Sequence, residues 1–397
     1  MKGVKTLRLF YNGKCIRPIS EDCAMEPKTN KILIVKYKFD CSKADLFPIF
    51  NNGFEYTFID EHEQTVDVMG VDVETITLMT YDARPDSDGV LTTEVTVEEP
   101  VLLNADNIIT RSIYSTELPT RMQFGSDTGG NDRSLSLIEL LYADTSNMTS
   151  MGSMFNCCRN LIKCNTNNWD TSKVNNMSSM FANCTKLTSL DVSNFDTRNV
   201  LYMNHVFNNC TLLKSLDVSK WITNKVNTMY AMFSDCCGLD LLDVSNFDTS
   251  NVLNMGCMFD GFEDSRGKGV NVIGYENFNT DKVEVVSGLF GCNSYVEKLD
   301  LSKWDWKNVR SSTWQDIFPG DVFRGTVNLK EIKAPKNISV PLYLSDSNLL
   351  TVESLLSVIN NLSVVTTPAD LRLGATNLAK LTSEQIAIAS NKGWNVI

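Results

Sequence analysis

Histidine is almost missing from this chain: His62 and His205 are the two in 397 residues. A Ser-His-Asp triad or a histidine-based zinc site would have to use one of them. His62 lies in DEHEQ, which lacks the HExxH spacing. His205 takes a position that sister segments fill with Ser179, Ala231 and Cys257, so it reads as a surface residue. CxxC is also absent; Cys157-Cys158 and Cys236-Cys237 are adjacent pairs, a poor geometry for gripping one metal ion. The glycines of RMQFGSDTGGNDRS are not followed by the lysine of a phosphate-binding loop. No apolar run approaches the roughly 20 residues that cross a bilayer. The start, MKGVKTLRLFYNGKC, has no apolar core of a secretory leader, and no C-terminal anchor is visible, so secretion by the standard route is not expected. Basic charge is in deficit, with 36 Lys and Arg against 48 Asp and Glu and a net charge of −12, which opposes binding to a nucleic-acid backbone. The expectation is a chain without catalytic residues, cofactor, metal, nucleic-acid partner or membrane insertion.

What is present is a repeat. LDVS occurs at Leu190, Leu216 and Leu242, and as LDLS at Leu299. Five residues later comes an aromatic (Phe195, Trp221, Phe247, Trp304), then a valine (Val200, Val226, Val252, Val309). Phe155, Phe181, Phe207, Phe233 and Phe259 follow one another at intervals of 26. A fixed period of this length marks a stacked-repeat protein. The aromatic column reads Ala143, Trp169, Phe195, Trp221, Phe247, Phe278 and Trp304, and either packs inside or offers rings to sugars. Spacing breaks after Phe259, where GFEDSRGKGVN adds five residues and moves the next phenylalanine to Phe290. The repeat fades after Trp314, with Ile317-Phe318 and LKEIKAP as its last echoes.

Twelve cysteines suggest a disulfide scaffold, but Cys158, Cys184, Cys210 and Cys236 each fall three residues after the repeat phenylalanine, and Cys164 stands where other repeats have Leu190 or Leu216. They read as small interior hydrophobes with free thiols, disulfides being the alternative. Within one repeat, Leu190 and Val192 point inward and Ser189, Asp191 and Ser193 outward, as in a short strand. Asp170 or Thr171 would then cap a helix whose inner face holds Val174, Met177, Met180 and Phe181. The expected fold class is α/β: a leucine-rich-repeat-like solenoid with a short parallel strand plus a helix in each 26-residue repeat. At about 4.8 Å per strand, roughly seven repeats make a rod about 35 Å long.

The flanks differ. Residues 1–100 read as a β-rich attachment domain: KILIVKYKFD alternates, with Leu33, Val35, Tyr37 and Phe39 on one face. FEYTFI, QTVDVMGVDV, ETITLMTYD and VLTTEVTVEE continue that style, with Asn-Gly at 12–13 and 52–53 and ARPDSDG as turns, which suggests a small sandwich or barrel. Residues 101–140 read as linker and entry, 141–335 as the repeats, and 336–397 as a C-terminal α/β cap. In that cap LTVESLLSVINNLS (350–363) and LTSEQIAIASNKGW (381–394) are helices, the second opened by Thr382 or Ser383 with Gln385 close behind and closed by Gly393; ADLRLGAT lies between them as a strand.

The motif LDVSNFDTSNVxxMxxMFxxCxxL resembles the BspA-like leucine-rich-repeat family, in the 26-residue form of mycoplasma surface lipoproteins and gut-bacterial surface proteins, most clearly over Leu190–Phe207, Leu216–Phe233 and Leu242–Phe259. The resemblance implies surface display or adhesion without enzymatic activity. The ending LGATNLAKLTSEQIAIASNKGWNV is similar to the ends of repeat proteins carried by phages and prophages of gut bacteria. Together these imply a virion structural or host-recognition protein, such as a head or tail fibre or a receptor-binding protein. It would attach to virion or surface-assembly proteins through its N-terminal domain and to a host cell-surface protein or glycan through the repeats, as a single chain or a homo-oligomer. Its location would be the virion. A bacterial cell-surface adhesin and an intracellular protein-binding scaffold are the alternatives.

The candidate ligand-binding surface is the outward strand row: Asp191, Asp217, Asp243 and Asp300 flanked by Ser193, Ser219, Ser245 and Ser302. Arg266 and Lys268 in the inserted stretch complete it. Like charges about 4.8 Å apart repel unless compensated. Three readings stand open: carboxylates solvated or hydrogen-bonded to nearby serines and amides, a recognition stripe for a partner or glycan, or a set of cation ligands. The sequons at Asn147, Asn176, Asn183, Asn209, Asn337 and Asn361 follow from the polar positions of the repeat.

Overall fold

The computed structural model describes residues 8–11, 14–18, 32–40, 48–50, 56–62, 77–78, 94–96, 108–125, 135–261, 269–310 and 321–397. They form a mixed α/β structure with several small sheets and few helices. The largest sheet has six strands in the open order Lys163–Cys164, Leu137–Ala143, Ile32–Asp40, Ile108–Ser115, Thr57–His62 and Thr77–Leu78. Val35, Tyr37 and Phe39 are fully buried beneath it, as the alternation in KILIVKYKFD predicts. A bulge between Leu33 and Val35 shifts the register, so Ile34 is buried and Leu33 only partly so. Arg111 is buried with its guanidinium 4.8 Å and 4.7 Å from the rings of Phe39 and Phe58. Among the described residues this sheet is open, and Arg8–Tyr11, Lys14–Pro18 and Glu94–Thr96 form a separate three-stranded sheet; QTVDVMGVDV, expected among the strands of a small sandwich or barrel, lies outside the described residues.

Residues 101–140, expected as a linker, contribute Ile108–Ser115 to the middle of this sheet and lead into Leu137–Ala143. The latter strand runs antiparallel to Ile32–Asp40 on one side and parallel to Lys163–Cys164 of the first repeats on the other. The β-rich segment and the repeats therefore share one sheet. Part of RMQFGSDTGGNDRS is also structural: Met122 and Phe124 are buried, and the ring of Phe124 stacks on Phe155 at 5.6 Å. Gly125 sits where a Cβ would lie 2.3 Å from the Asn156 carbonyl, so only glycine allows this approach.

The repeats depart from the expected strand-plus-helix pattern. Between residues 141 and 335 the described helices are two single 3₁₀ turns, Tyr275–Asn277 and Asp321–Phe323. Elsewhere the chain advances through successive reversals, each closed by an amide bonding to the carbonyl three residues back: Val174 to Thr171, Met180 to Met177, Cys184 to Phe181, Leu187 to Cys184, Phe195 to Val192. Val174, Met180, Cys184, Leu187 and Phe195, which end these five reversals, are apolar and buried. This produces an apolar spacing near three, which a sequence reading cannot separate from one face of a helix. The discriminating residues are Ser179 at φ 56° and Asn183 at φ 61°, with Ser153, Cys157, His205, Asn209, Ala231, Asp235, Cys257 and Cys292 at matching places. Left-handed residues repeated along each unit rule out continuous α-helix.

Successive units are joined by backbone bonds. Met177, Ser179, Phe181 and Asn183 donate to the carbonyls of Tyr202, Asn204, Val206 and Asn208, at 2.7–3.0 Å. Parallel bridges run Ser150, Asn176, Tyr202, Thr228, Asn254, Val285. Inside, Phe155, Phe181, Phe207, Phe233, Phe259 and Phe290 follow one another at 5.2–6.3 Å between centroids. The second aromatic column is buried as well, with Trp169, Phe195, Trp221, Phe247, Phe278 and Trp304 at most 5% exposed. The methionine columns, including Met177, Met180, Met203 and Met229, are fully buried. So are Cys158, Cys184, Cys210 and Cys236. The described cysteines are free thiols; Cys184, Cys210 and Cys236 donate to the carbonyls of Phe155, Phe181 and Phe207 at 3.0–3.3 Å. Burial pushes the Cys210 thiol up to about 12 and holds the Cys184 and Cys236 thiols well above their ordinary range.

At the C-terminus real helices appear. Val352–Asn361 and Ser383–Ser390 follow the sequence reading, with Thr382 and Gln385 forming a reciprocal capping box and Gly393 at φ 89° behind the second. The strand in ADLRLGAT is Ala369–Arg372, between Leu342–Tyr343 and Trp394–Val396 in a parallel sheet; a short helix, Gly374–Leu378, was not expected. Ser354 and Ser357 of the first helix accept from the amides of Ile332 and Ala334 at 3.0 and 2.9 Å, which satisfies the strand edge where turns give way to helices.

Candidate recognition surface

The outward strand row is built by a local device. Each aspartate accepts the amide hydrogen two residues on: Ser193 to Asp191 at 2.9 Å, Ser219 to Asp217 at 3.0 Å, Ser245 to Asp243 at 2.9 Å, Ser302 to Asp300 at 3.2 Å. The serine hydroxyl adds a second bond at Asp243 (2.5 Å) and Asp300 (2.6 Å). A side chain that closes a turn onto its own backbone explains why Asp-x-Ser recurs. The serine hydroxyl and then the amide hold the Asp191, Asp217 and Asp243 carboxyls below their ordinary range. For Asp300 the Lys333 ammonium, 2.7 Å away, acts first and brings the carboxyl down to about 2.

The aspartates are thus hydrogen-bonded to nearby serines and amides, the first of the three readings. Asp191, Asp217 and Asp243 are nevertheless exposed, and the second carboxylate oxygen of each has no protein partner among the described residues. They present a line of acceptors on one face. Arg266 and Lys268 lie outside the described residues.

A second row escaped the sequence reading. Asp144, Asp170, Asp196, Asp248 and Asp305, the first residue of each DTS-like corner, make the same turn with the amide two residues on. Asp170 therefore caps a turn and not a helix, and Thr171 has a different task. The buried hydroxyls of Thr145, Thr171, Thr197 and Thr223 each accept an amide of the next unit and donate to the carbonyl of that same residue, at 2.7–3.1 Å. One side chain supplies both halves of a missing ladder pair. The recurrence of DT at the period was the signal.

The remaining candidates take structural places. Asn176 accepts from the Ser178 amide, Asn209 donates to Asn183 at 2.9 Å, Asn337 donates to Asp305 at 2.7 Å, and Asn361 donates to the Ser357 carbonyl at 2.8 Å. His205, expected at the surface, is partly buried with its ring edge-on to Tyr230 at 5.1 Å, and that burial lowers its pKa. Among the described residues no three His, Cys, Asp or Glu side chains converge as metal ligands, and no helix is long and apolar enough to cross a membrane.

Three stretches of the chain match one family. Residues 134–240, 182–272 and 238–328 are each similar to the family described as Mycoplasma protein of unknown function, DUF285. The overlapping matches fall on the turn-built units and are consistent with the mycoplasma-type repeat read from LDVS and its aromatic; they leave out the β-rich start and the helical end. No curated protein and no solved structure matches the chain.

Proposed function

We propose that residues 141–335 stack as a solenoid of the BspA-like kind and that the protein is a non-enzymatic recognition and display component. The observation that carries this reading is how the repeated polar residues are used. Thr197, Asn209 and Asp217 each serve a turn or a link between units, so the motif's invariance is accounted for by architecture. What is left facing outward in series is the row of carboxylate oxygens on Asp191, Asp217 and Asp243, suited to hydrogen-bond donors on a cell surface. The six-stranded sheet at the other end, continuous with the first units, would fix the stack to an assembly.

Among settings, we place it in a phage virion, as a fibre or receptor-binding component. The support is the similarity of LGATNLAKLTSEQIAIASNKGWNV to the ends of phage-borne repeat proteins. Mass spectrometry of purified particles, with electron microscopy of labelled chains, tests the setting. Detection in the particle is the expected outcome; absence from it overturns the virion and leaves an adhesin or a scaffold. Replacing Asp191, Asp217 and Asp243 together by Asn tests the row, and cell binding that survives the change removes the row from the contact.

A further inference from the structure

Beside the insertion the strand face leaves its period, and how it does so follows from how the insertion is divided. Leu242 pairs with Val272, 30 residues on and four more than the period. Thr249 bonds the carbonyl of Asn279, 30 residues on, where Thr223 reaches only 25 to Asp248. One extra residue therefore sits between Ile273 and Asn279. It is accommodated by Gly274 at φ 90°, packed so closely that a Cβ would meet the Ser245 amide at 2.3 Å, and by the 3₁₀ turn Tyr275–Asn277. Here the Asp-x-Ser row is interrupted, and Ile273 stands beside Asp243 in register, 43% exposed.

A groove of about 240 Å³ opens beside this break, with Asn271, Val272, Tyr275, Tyr295, Glu297 and Lys298 along it. Tyr275 is held firmly: its ring is edge-on to Phe290 at 5.4 Å, its hydroxyl donates to the Lys298 carbonyl at 3.3 Å, and its own carbonyl accepts the Trp304 indole at 3.2 Å. Tyr295 is 41% exposed and its hydroxyl has no protein partner among the described residues. The two charges of the groove are matched elsewhere, Glu297 by Lys330 at 2.8 Å and Lys298 by Glu331 at 2.7 Å. Asn271 gives its amide to the Asp240 carbonyl and keeps its oxygen as an acceptor.

We propose that this groove is a saccharide subsite that takes one ring of a neutral oligosaccharide. A pyranose offers an apolar C–H face and a rim of hydroxyls, which matches a tyrosine ring with a polar tip and an amide oxygen nearby. The volume is below the roughly 300–1,000 Å³ of sites for drug-sized ligands, which suits a single ring. The matched charges select a neutral ring over an acidic one. A protein partner would need about 800 Å² from this side, far more than the groove offers. The proposal rests on the recognition reading but is independent of the virion setting and of the aspartate row.

The test is binding of the purified full chain to immobilised neutral hexose and N-acetylhexosamine oligosaccharides, with sialylated and sulfated ones alongside. Wild type should hold at least one neutral oligosaccharide. Tyr295→Ala, at an exposed position on the groove, should weaken that binding tenfold or more with an unchanged melting temperature. The Asp191, Asp217 and Asp243 triple Asn variant should bind as wild type. No neutral oligosaccharide held at millimolar concentration, preference for acidic ones, or binding indifferent to Tyr295 overturns the subsite. If the triple variant alone loses the sugar, the recognition reading stands and the groove falls.

Discussion

The turn-built units and the helical end solve the same problem differently. In 141–335 each unit comes round through reversals with left-handed residues such as Ser179 and Asn183. In 336–397 the return paths are the helices Val352–Asn361 and Ser383–Ser390. Apolar periodicity is nearly the same in both. What separates them is the residue between the apolar positions: Asn183, Asn209 and Asp235 belong to the types that accept φ above zero most readily, whereas SEQIAIAS behind a Thr-x-x-Gln box favours continued helix. Spacing sets which side chains face inward, and the intervening residues set how the backbone gets there.

The largest expected difference lies in the ring column. Phe207 is fully buried between Phe181 and Phe233, at 6.0 and 5.8 Å, in a row that continues through both neighbours. Phe207→Ala should cost about 3–5 kcal/mol and, because each unit leans on the next, should expose both adjacent units to hydrogen exchange. Val358→Ala in the helical end should be felt locally, at about 1–3 kcal/mol from the lost apolar burial. Equal spread of exchange from the two substitutions would break the distinction.

The indoles give a sharper comparison. Trp221 donates to the Val192 carbonyl, 29 residues back, and Trp394 to Ser363. The buried Trp169 indole nitrogen has no acceptor among the described residues. Trp221→Phe and Trp394→Phe should each lose about 1 kcal/mol beyond the cost of the smaller ring; Trp169→Phe should not. Denaturant melts of the three variants decide it.

Glycine should change sign between the regions. Ser179 sits at φ 56° and is only partly buried, so Ser179→Gly should gain up to about 1 kcal/mol. Ala387, inside Ser383–Ser390, should lose about 1 kcal/mol on the same change. A loss at both positions would mean that the left-handed turns are not strained.

The repeat, its inward columns, the free-thiol cysteines and the C-terminal capping box were legible in the sequence because each follows from burial or from a short-range bond. The absence of helix between 141 and 335 was not, since Val174, Met177, Met180 and Phe181 satisfy helix and turn spacing alike. Nor was the role of Met122 and Phe124, because a glycine-rich neighbourhood hid two core residues. The threonine pairs escaped because a cap and an inter-unit link use the same residue type. The outward Asp-x-Ser face was only half legible: the pattern is written in the sequence, but its turn geometry is not. The break at Gly274 shows there only as a change of spacing.

The smallest effect separates the regions by acid. Asp170, Asp191, Asp196, Asp217, Asp243 and Asp248 are held below the ordinary aspartate value, chiefly by the side chain two residues on, and Asp300 is brought to about 2. A carboxyl with a lowered folded pKa adds stability that is fully present above its unfolded value and disappears as pH falls through the folded one. Because most of these groups face solvent, each contribution is modest and further reduced by salt. Between about pH 4 and pH 2 the turn-built units should therefore lose protection first, while peptides from 352–361 and 383–390 stay protected to lower pH. Hydrogen exchange read by mass spectrometry across that range checks the order. Replacing Asp300 by Asn should flatten the acid limb most, since it removes the titrating charge that Ser302 and Lys333 both hold in its ionised form. If the helical end opened first, the hydrogen-bonded carboxylates would not be what holds these turns in place.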